Sequence, residues 1–392
     1  MGPDTTRPWH LQGFELPHHA LPLADGMWRG PKPPANGATQ LASIGLEPGA
    51  ELADGAVAYR VDWQALQSWW QSRAGQPEFH SAQKFLPQMS EWIAARIWLG
   101  RQALAQFPPA PQFMAILNLT PDSFSDGGQL MHADRSVAIA LVVKQAQLAI
   151  SQGAAWLDLG AESTRPGAAE ISAQQQLDRL LPAIHALLPL QIPLSIDTRS
   201  ADVAQTCLQA GATMINDVSG FGDEQMASVC AAAQCPTTLM HMRGKPATMQ
   251  QHCQYRDLMG EVADEWAQSA ARGLTAGLSG AHIYLDPGIG FAKTALQNYQ
   301  LMADVGALRA LGFPLLLGPS RKSFLAEQFP HYSAIQRDCG SAGAAACCAF
   351  EGAAILRLHQ ASHWDAVEVA ARLGQVKNGS TRSYNSATHS PG

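Results

Sequence analysis

Eight apolar runs in this 392-residue chain end on groups that can do chemistry: Asn118, Asp158, Asp197, Asn216, Met240 with His241, Asp286, Ser320 through Lys322, and Arg357 with His359. One polar residue after an apolar run is routine, as a helix cap or a loop hydrogen bond. Repetition of the pattern along one chain needs another explanation. Asp158, Asp197, Asn216 and Asp286 offer acceptors and donors to the amidine-like edge of a flat nitrogen heterocycle. A carboxylate facing an N–H and NH2 pair binds it with two parallel hydrogen bonds. Lys322 is suited to a ring carbonyl or ring nitrogen, and Asn118, Thr164, Arg165, Arg357 and His359 form a second group suited to an anion. Neither a Walker A loop nor a GxGxxG fingerprint occurs, so a nucleotide cradle of those kinds is not expected.

Two long loops follow the first two runs, "TPDSFSDGG" and "ESTRPGAAE". Both mix hydroxyls, charges, proline and glycine. Asp126 in the first and Arg165 in the second are opposite charges that can pair if the loops close, and closure excludes water from a reactive cation.

The elements that must position these groups alternate regularly. "FMAILNL", "AAWLDLG", "IPLSID", "ATMIND", "PTTLMH", "HIYLDPG", "FPLLLGPS" and "AAILRLH" read as buried strands, each followed by a helix-length segment. An open doubly wound sheet is the alternative, but eight regular units favour a (β/α)8 TIM barrel. Barrel chemistry sits at the C-terminal strand ends, and a phosphate site often lies after strands 7 and 8, where Arg357 and His359 fall. "GSAGAA" (340–345) reads as the opening of a helix packed closely on the barrel.

The composition changes at the proline-rich "FPPAPQ" (107–112): most of the ten tryptophans precede it, and all seven cysteines follow it. Residues 1–110 therefore read as a smaller, partly helical extension, 111–377 as the barrel and 378–392 as a polar, disordered tail. Within the extension "VAYRV" (57–61) alternates as a half-buried strand does. Residues 63–73 and 89–106 carry helical spacing, with Met89, Trp92, Ile93 and Ile97 on one face. The tryptophans read as a packing face rather than a ligand platform. A net charge of -6 gives no general attraction to nucleic acid. An odd cysteine count without zinc spacing suits reduced thiols. With no signal-like N-terminus and no membrane-length apolar run, a cytoplasmic protein acting on small molecules is expected, without membrane or nucleic-acid partners.

The segments "ILNLTPDSFSDGG", "DLGAESTRPGA", "SIDTRSADVA", "INDVSGF", "LMHMRGKPATMQ", "LDPGIGFAKT", "GPSRKSFL" and "ILRLH" together resemble the dihydropteroate synthases, the pterin-binding barrels of folate biosynthesis. The likeness runs over roughly residues 112–377, in family order. It implies a transferase that joins 6-hydroxymethyl-7,8-dihydropterin diphosphate to 4-aminobenzoate, releasing pyrophosphate. It also implies a homodimer and a sulfonamide target. Carried over, the pterin meets Asp158, Asp197, Asn216, Met240, Asp286 and Lys322. The diphosphate meets Asn118, Thr164, Arg165, Arg357 and His359, with Mg2+ held by Asn118 and the leaving group. The aminobenzoate pocket uses Phe124, Thr164, Pro166, Phe291, Lys322 and Ser323. Asp126, Arg165 and Lys322 carry the catalytic roles, Asp126 by stabilising the developing cation.

The chain departs from the family pattern at Ala115, Ala161, Pro319 and Gln360, none of which replaces a group with a chemical role. Residues 1–110 lie outside the resemblance. A pterin-dependent methyltransferase shares the barrel but needs neither the diphosphate groups nor both loops. A non-catalytic pterin-binding protein is the remaining alternative, and the retained Asn118, Asp126, Arg165, Lys322, Arg357 and His359 speak against it.

Overall fold

The structure is a computed structural model. It describes residues 21–23, 27–30, 32–33, 37–52, 56–73, 93, 97, 100–105, 108–121, 130–132, 134–164, 170–361 and 363–377.

The first strands are β1 (Leu21–Pro22), β2 (Trp28–Gly30), β3 (Leu46–Glu51) and β4 (Val57–Val61). They pair antiparallel in the order β1-β2-β4-β3. Pro48 lies in β3, an edge strand with an irregular register, where a missing N–H is tolerated. β4 departs from simple alternation: Val57, Ala58 and Tyr59 are all buried. It is a central strand, and both of its faces are covered at that end. The helix Trp63–Arg73 forms as its spacing requires, started by Asp62, whose carboxylate accepts from the amides of Gln64 and Ala65 at 3.0 and 3.1 Å. Ile93 and Ile97 are wholly buried one turn apart, whereas Met89 and Trp92 lie outside the described residues. Trp28 packs edge-on against Trp63 at 5.8 Å, so these rings serve packing.

The second sheet is an eight-stranded TIM barrel. Its strands are β5 (Gln112–Asn118), β6 (Ala154–Gly160), β7 (Leu194–Asp197), β8 (Met214–Asp217), β9 (Thr237–Met240), β10 (Ile283–Asp286), β11 (Leu316–Leu317) and β12 (Ile355–Leu358). Neighbours run parallel in the order β10-β9-β8-β7-β6-β5-β12-β11. A parallel bridge from Leu285 to Leu315 joins the two ends and closes the ring. All eight apolar runs are barrel strands. Four of the helices between them start on residues with side-chain oxygens: Ser172, Ser200, Asp257 and Thr294 each accept from a backbone N–H in the first turn. "GSAGAA" lies inside the helix Asp338–Phe350, which packs on the last helix, Trp364–Lys377.

Period 2 explains what fills the barrel. Met114, Met214, Leu316 and Ile355 cluster with Trp156 and Tyr284 as an apolar plug. Two residues further along their strands stand Asp158, Asn216, Asp286 and Arg357. The plug therefore forms a dry floor, and the polar groups project above it at the C-terminal mouth.

The extension and the barrel share one hydrophobic core, from Leu41, Leu46 and Tyr59 through to Leu308 and Ala310. Two buried arginines cross the seam in opposite directions. Arg29 of β2 reaches Asp257 at 2.8 Å and Asp264 at 3.7 Å on the helix Leu258–Thr275. Arg309 of the barrel donates to the Leu104 carbonyl at 3.1 Å.

Candidate active site

Strand ends bring Asp158, Asp197, Asn216, Asp286 and Arg357 to one rim. Asp158 is wholly buried, and Arg357 donates to it at 2.6 Å through Nε and to Asp197 at 2.8 Å through Nη2. Asn216 donates to the same Asp158 oxygen at 3.4 Å. The sequence divides these residues into a heterocycle group and an anion group, whereas the structure puts Arg357 between two carboxylates of the first group. The reason is elementary: a buried acid this close to a guanidinium pairs with it. Burial pushes the Asp197 carboxyl up, against the pull of Arg357. Asp286 is also pushed up by burial, opposed by the Gly288 amide, which donates to it at 2.8 Å, and by Lys322.

Lys322 follows the short β11 and Pro319. Its ammonium lies 4.2 Å from the centre of the Phe291 ring, and burial lowers its pKa to about 8. Beside it, Met240, Phe291, Val218, Met249 and Ala292 form a separate apolar cluster, a wall for a flat ring. Ser323 is exposed on the adjoining turn. His359 is half-buried, and its Nδ1 pairs with Ser320 at 2.9 Å, so the loop after β11 orients the imidazole. Gln360 is exposed and lines a shallow cleft with Ser320, Asp338 and His363, to one side of this ring.

Asn118 ends β5 half-buried. A Cβ on the neighbouring Gly160 would stand 3.6 Å from Asp197 Oδ2 and 3.8 Å from Asn118 Oδ1. Glycine there keeps open a notch lined by two oxygens, which suits a hard cation. Among the described residues no group of three His, Cys, Asp or Glu side chains is arranged to hold a metal alone.

Thr164 is half-buried after β6. Phe124, Asp126, Arg165 and Pro166 lie outside the described residues, and so does any pairing of the two loops. Arg199 holds both flanks of the second loop, at 3.2 Å from Glu162 and 3.1 Å from Glu170.

The sequence places Arg321 and His241 at strand ends without giving either a role, and the structure shows that they and their partners hold these residues. Arg321 adopts a left-handed backbone (φ 56°), and its guanidinium makes two bonds to Asp338, at 2.7 and 2.9 Å. This fixes the turn that presents Lys322 and Ser323. Lys293 is 3% exposed and contacts His241 Nδ1 at 3.0 Å and the Phe291 carbonyl at 2.9 Å. His241 Nε2 meets Glu265 at 2.9 Å, and Glu265 also pairs with Arg243. Burial and the Lys293 charge lower His241 to about 4, so the ring is neutral, with Nδ1 towards Lys293 and Nε2 towards Glu265. Burial alone would raise Glu265, but the bonds from His241 and Arg243 hold it at about 2. His241 and Lys293 stand in recognisable strand-end segments, while Glu265 and Arg243 give no local signal.

The family model described as "Pterin binding enzyme" matches residues 114–359. The dihydropteroate synthase of Synechocystis sp. is 41% identical over 294 residues, spanning 74% of this chain and 97% of that relative. A crystal structure of the Yersinia pestis dihydropteroate synthase with a sulfonamide drug is similar at 39% identity and a TM-score of 0.62, covering 69% of this chain and 95% of that one. The Thermus thermophilus dihydropteroate synthase in complex with 4-aminobenzoate aligns at 35% identity and a TM-score of 0.58, covering 67% and 95%. With the match spanning most of the barrel and nearly all of each relative, this chain belongs to the pterin-binding enzyme family, among the dihydropteroate synthases.

Proposed function

We propose that the chain joins 6-hydroxymethyl-7,8-dihydropterin diphosphate to 4-aminobenzoate, giving 7,8-dihydropteroate and pyrophosphate. The observation that carries this reading is the ring of buried Asp158, Asp197, Asn216 and Asp286 around Arg357, with Lys322 and an apolar wall beside it. Asp197, Asn216 and Asp286 take the polar edge of the pterin while Met240 and Phe291 flank its face. Arg357 and His359 bind the diphosphate, and Asn118 with the Gly160 notch fits Mg2+ bound largely through substrate oxygens. When bound, that ion supplies positive charge against the leaving group.

The C–O bond to pyrophosphate breaks as Arg357, His359 and, in the closed loops, Arg165 stabilise the departing charge. The methylene cation left behind is spread over the dihydropterin ring, and Asp126 is assigned to stabilise it electrostatically. The neutral aniline nitrogen attacks that carbon and then loses a proton. It needs positioning more than activation, and Thr164, Pro166, Phe124, Phe291, Lys322 and Ser323 supply it. No covalent enzyme intermediate is involved.

The protein acts in the cytoplasm as a homodimer. Seven unpaired cysteines fit a reducing compartment, and none of the described helices is long and apolar enough to cross a membrane. Val369, Leu373 and Val376 are 57–64% exposed and form an apolar stripe on the last helix, which suits cover by a second copy. The test is turnover: folded protein with both substrates should release pyrophosphate and lose activity with EDTA until Mg2+ is restored. A folded, Mg2+-supplied protein that releases none would overturn the reading. Light scattering at the mass of a monomer would overturn the dimer.

A further inference from the structure

The helix Leu258–Thr275 carries acids on two sides, and each side holds a different part of the molecule. Asp257, its cap, and Asp264 are seven residues apart and therefore share a face. That face takes the Arg29 guanidinium of the extension, at 2.8 and 3.7 Å. Glu261 and Glu265 share another face and hold Arg243, Glu261 at 2.7 Å. Glu265 also holds His241, the residue after Met240. Trp266, 1% exposed, donates its indole N–H to the carbonyl of Asp286 at 3.1 Å. Arg243 lies 4.0 Å over the Tyr255 ring, and Tyr255 donates to the carbonyl of Ala292, next to Phe291, at 3.0 Å.

One rigid helix thus links a buried arginine of the extension to the strand ends that carry Met240, Asp286 and Phe291. The sequence is built to let that arginine approach. A Cβ on Gly260 would stand 2.3 Å from the Arg29 guanidinium carbon, so the first turn must be glycine where the guanidinium crosses it. Trp28, beside Arg29, packs equally close to Gly100, where a Cβ would meet the indole at 2.7 Å. Arg29 itself is 1% exposed, and a charge buried to that degree is fixed in place by its partners.

We propose that Arg29 is a positioning residue for the reaction: the extension braces the helix Leu258–Thr275, and the helix in turn sets Asp286 and the apolar wall that includes Met240 and Phe291. This rests on the synthase reading for what occupies the wall, and on the geometry above for the brace. Without Arg29, Asp257 and Asp264 lose the buried guanidinium that both of them face. The first two turns then shift to solvate them, and Trp266 and Glu265 move with them.

The experiment compares the full-length protein with Arg29→Met, Arg29→Lys, Trp266→Phe and the Arg29→Met/Trp266→Phe double variant. Calorimetric titration with the pterin diphosphate alone gives Kd, and steady-state turnover gives KM and kcat. Arg29→Met is expected to raise Kd and KM for the pterin diphosphate about fivefold, or about 1 kcal/mol, with kcat within about twofold. Arg29→Lys should recover part of the loss. The double variant should lose no more than the worse single one, because both changes break the same linkage. A lower urea midpoint with unchanged Kd and KM would overturn the brace, as would fully additive losses. If Arg29→Met does not fold, Asp264→Asn, which keeps the shape of the side chain and weakens the longer contact to Arg29, replaces it, and an unchanged Kd there overturns the proposal equally. Wild-type protein that binds no pterin diphosphate would instead sink the synthase reading.

Discussion

Arg357→Met tests the ion-paired ring directly. The guanidinium holds Asp158, wholly buried, at 2.6 Å and Asp197, 13% exposed, at 2.8 Å. Methionine keeps much of the volume of the side chain and removes the charge. Breaking a buried pair from one side costs about 3–5 kcal/mol, because the partner stays buried and charged. Lys322 also lies within electrostatic reach of Asp197, which argues for the lower half of that range, about 3 kcal/mol. The loss must depend on pH. Without the guanidinium the Asp197 carboxyl, which burial already pushes up against the pull of Arg357, is expected to titrate higher still, well above its unfolded value near about 4. The folded variant then binds more protons than the unfolded chain between those two limits, so its stability falls as pH rises through that window. The deficit against wild type should be larger at pH 8 than at pH 5, because Asp197 is raised in the wild type too and the two proteins diverge only above its wild-type pKa of about 7. Urea unfolding followed by tryptophan fluorescence at both pH values reads it. Arg357→Met/Asp158→Asn should be more stable than Arg357→Met at pH 8, since the amide no longer needs a counter-charge. A deficit below about 1 kcal/mol, or one equal at both pH values, would refute the claim that Arg357 offsets two buried charges.

Lys322, with its pKa lowered to about 8 by burial, is protonated below that pH and neutral above it, so kcat/KM for the pterin diphosphate should decline as pH rises through about 8. In Lys322→Arg that limb should move out of the accessible range, and an unmoved limb would assign it to another group. Asp338→Asn should weaken the grip on Arg321 and raise KM for 4-aminobenzoate about threefold to tenfold while leaving Kd for the pterin diphosphate nearly unchanged; equal losses on both substrates would show that the turn supports the whole mouth. Gly160→Ala should fill the notch between Asn118 and Asp197 and raise the Mg2+ concentration needed for half-maximal turnover, with a circular dichroism spectrum like wild type. An unchanged Mg2+ requirement would place the ion elsewhere.

The barrel was legible because its strands are short apolar runs that end on chemistry. Period 2 then places Asp158, Asn216, Asp286 and Arg357 above their plug residues without further information. Central β4 was legible as a strand from the alternation of "VAYRV", but the cover on both faces at Val57, Ala58 and Tyr59 was not, since alternation implies only one buried face. The pairing of Arg357 with Asp158 and Asp197 could not be read, because it spans 199 and 160 residues of chain and depends on which strands close the ring. The same holds for Arg29, an ordinary arginine in a three-residue strand until its partners on a distant helix are known. Glu265 and Arg243 look like surface charges in sequence and become site supports only through the helix that carries one of them.

The two arginines that cross the seam also set an order in time. Arg29 leaves the ribosome more than two hundred residues ahead of Asp257, and Leu104 about as far ahead of Arg309. At synthesis rates of 5–20 residues per second the extension waits roughly 10–45 s for the surface that buries its Trp28 and Arg29. Through that interval the partners that hold Arg29 in the finished protein are missing. Stalled nascent chains ending before residue 250 should therefore be cleaved readily within the extension, and chains ending after the barrel has closed should resist.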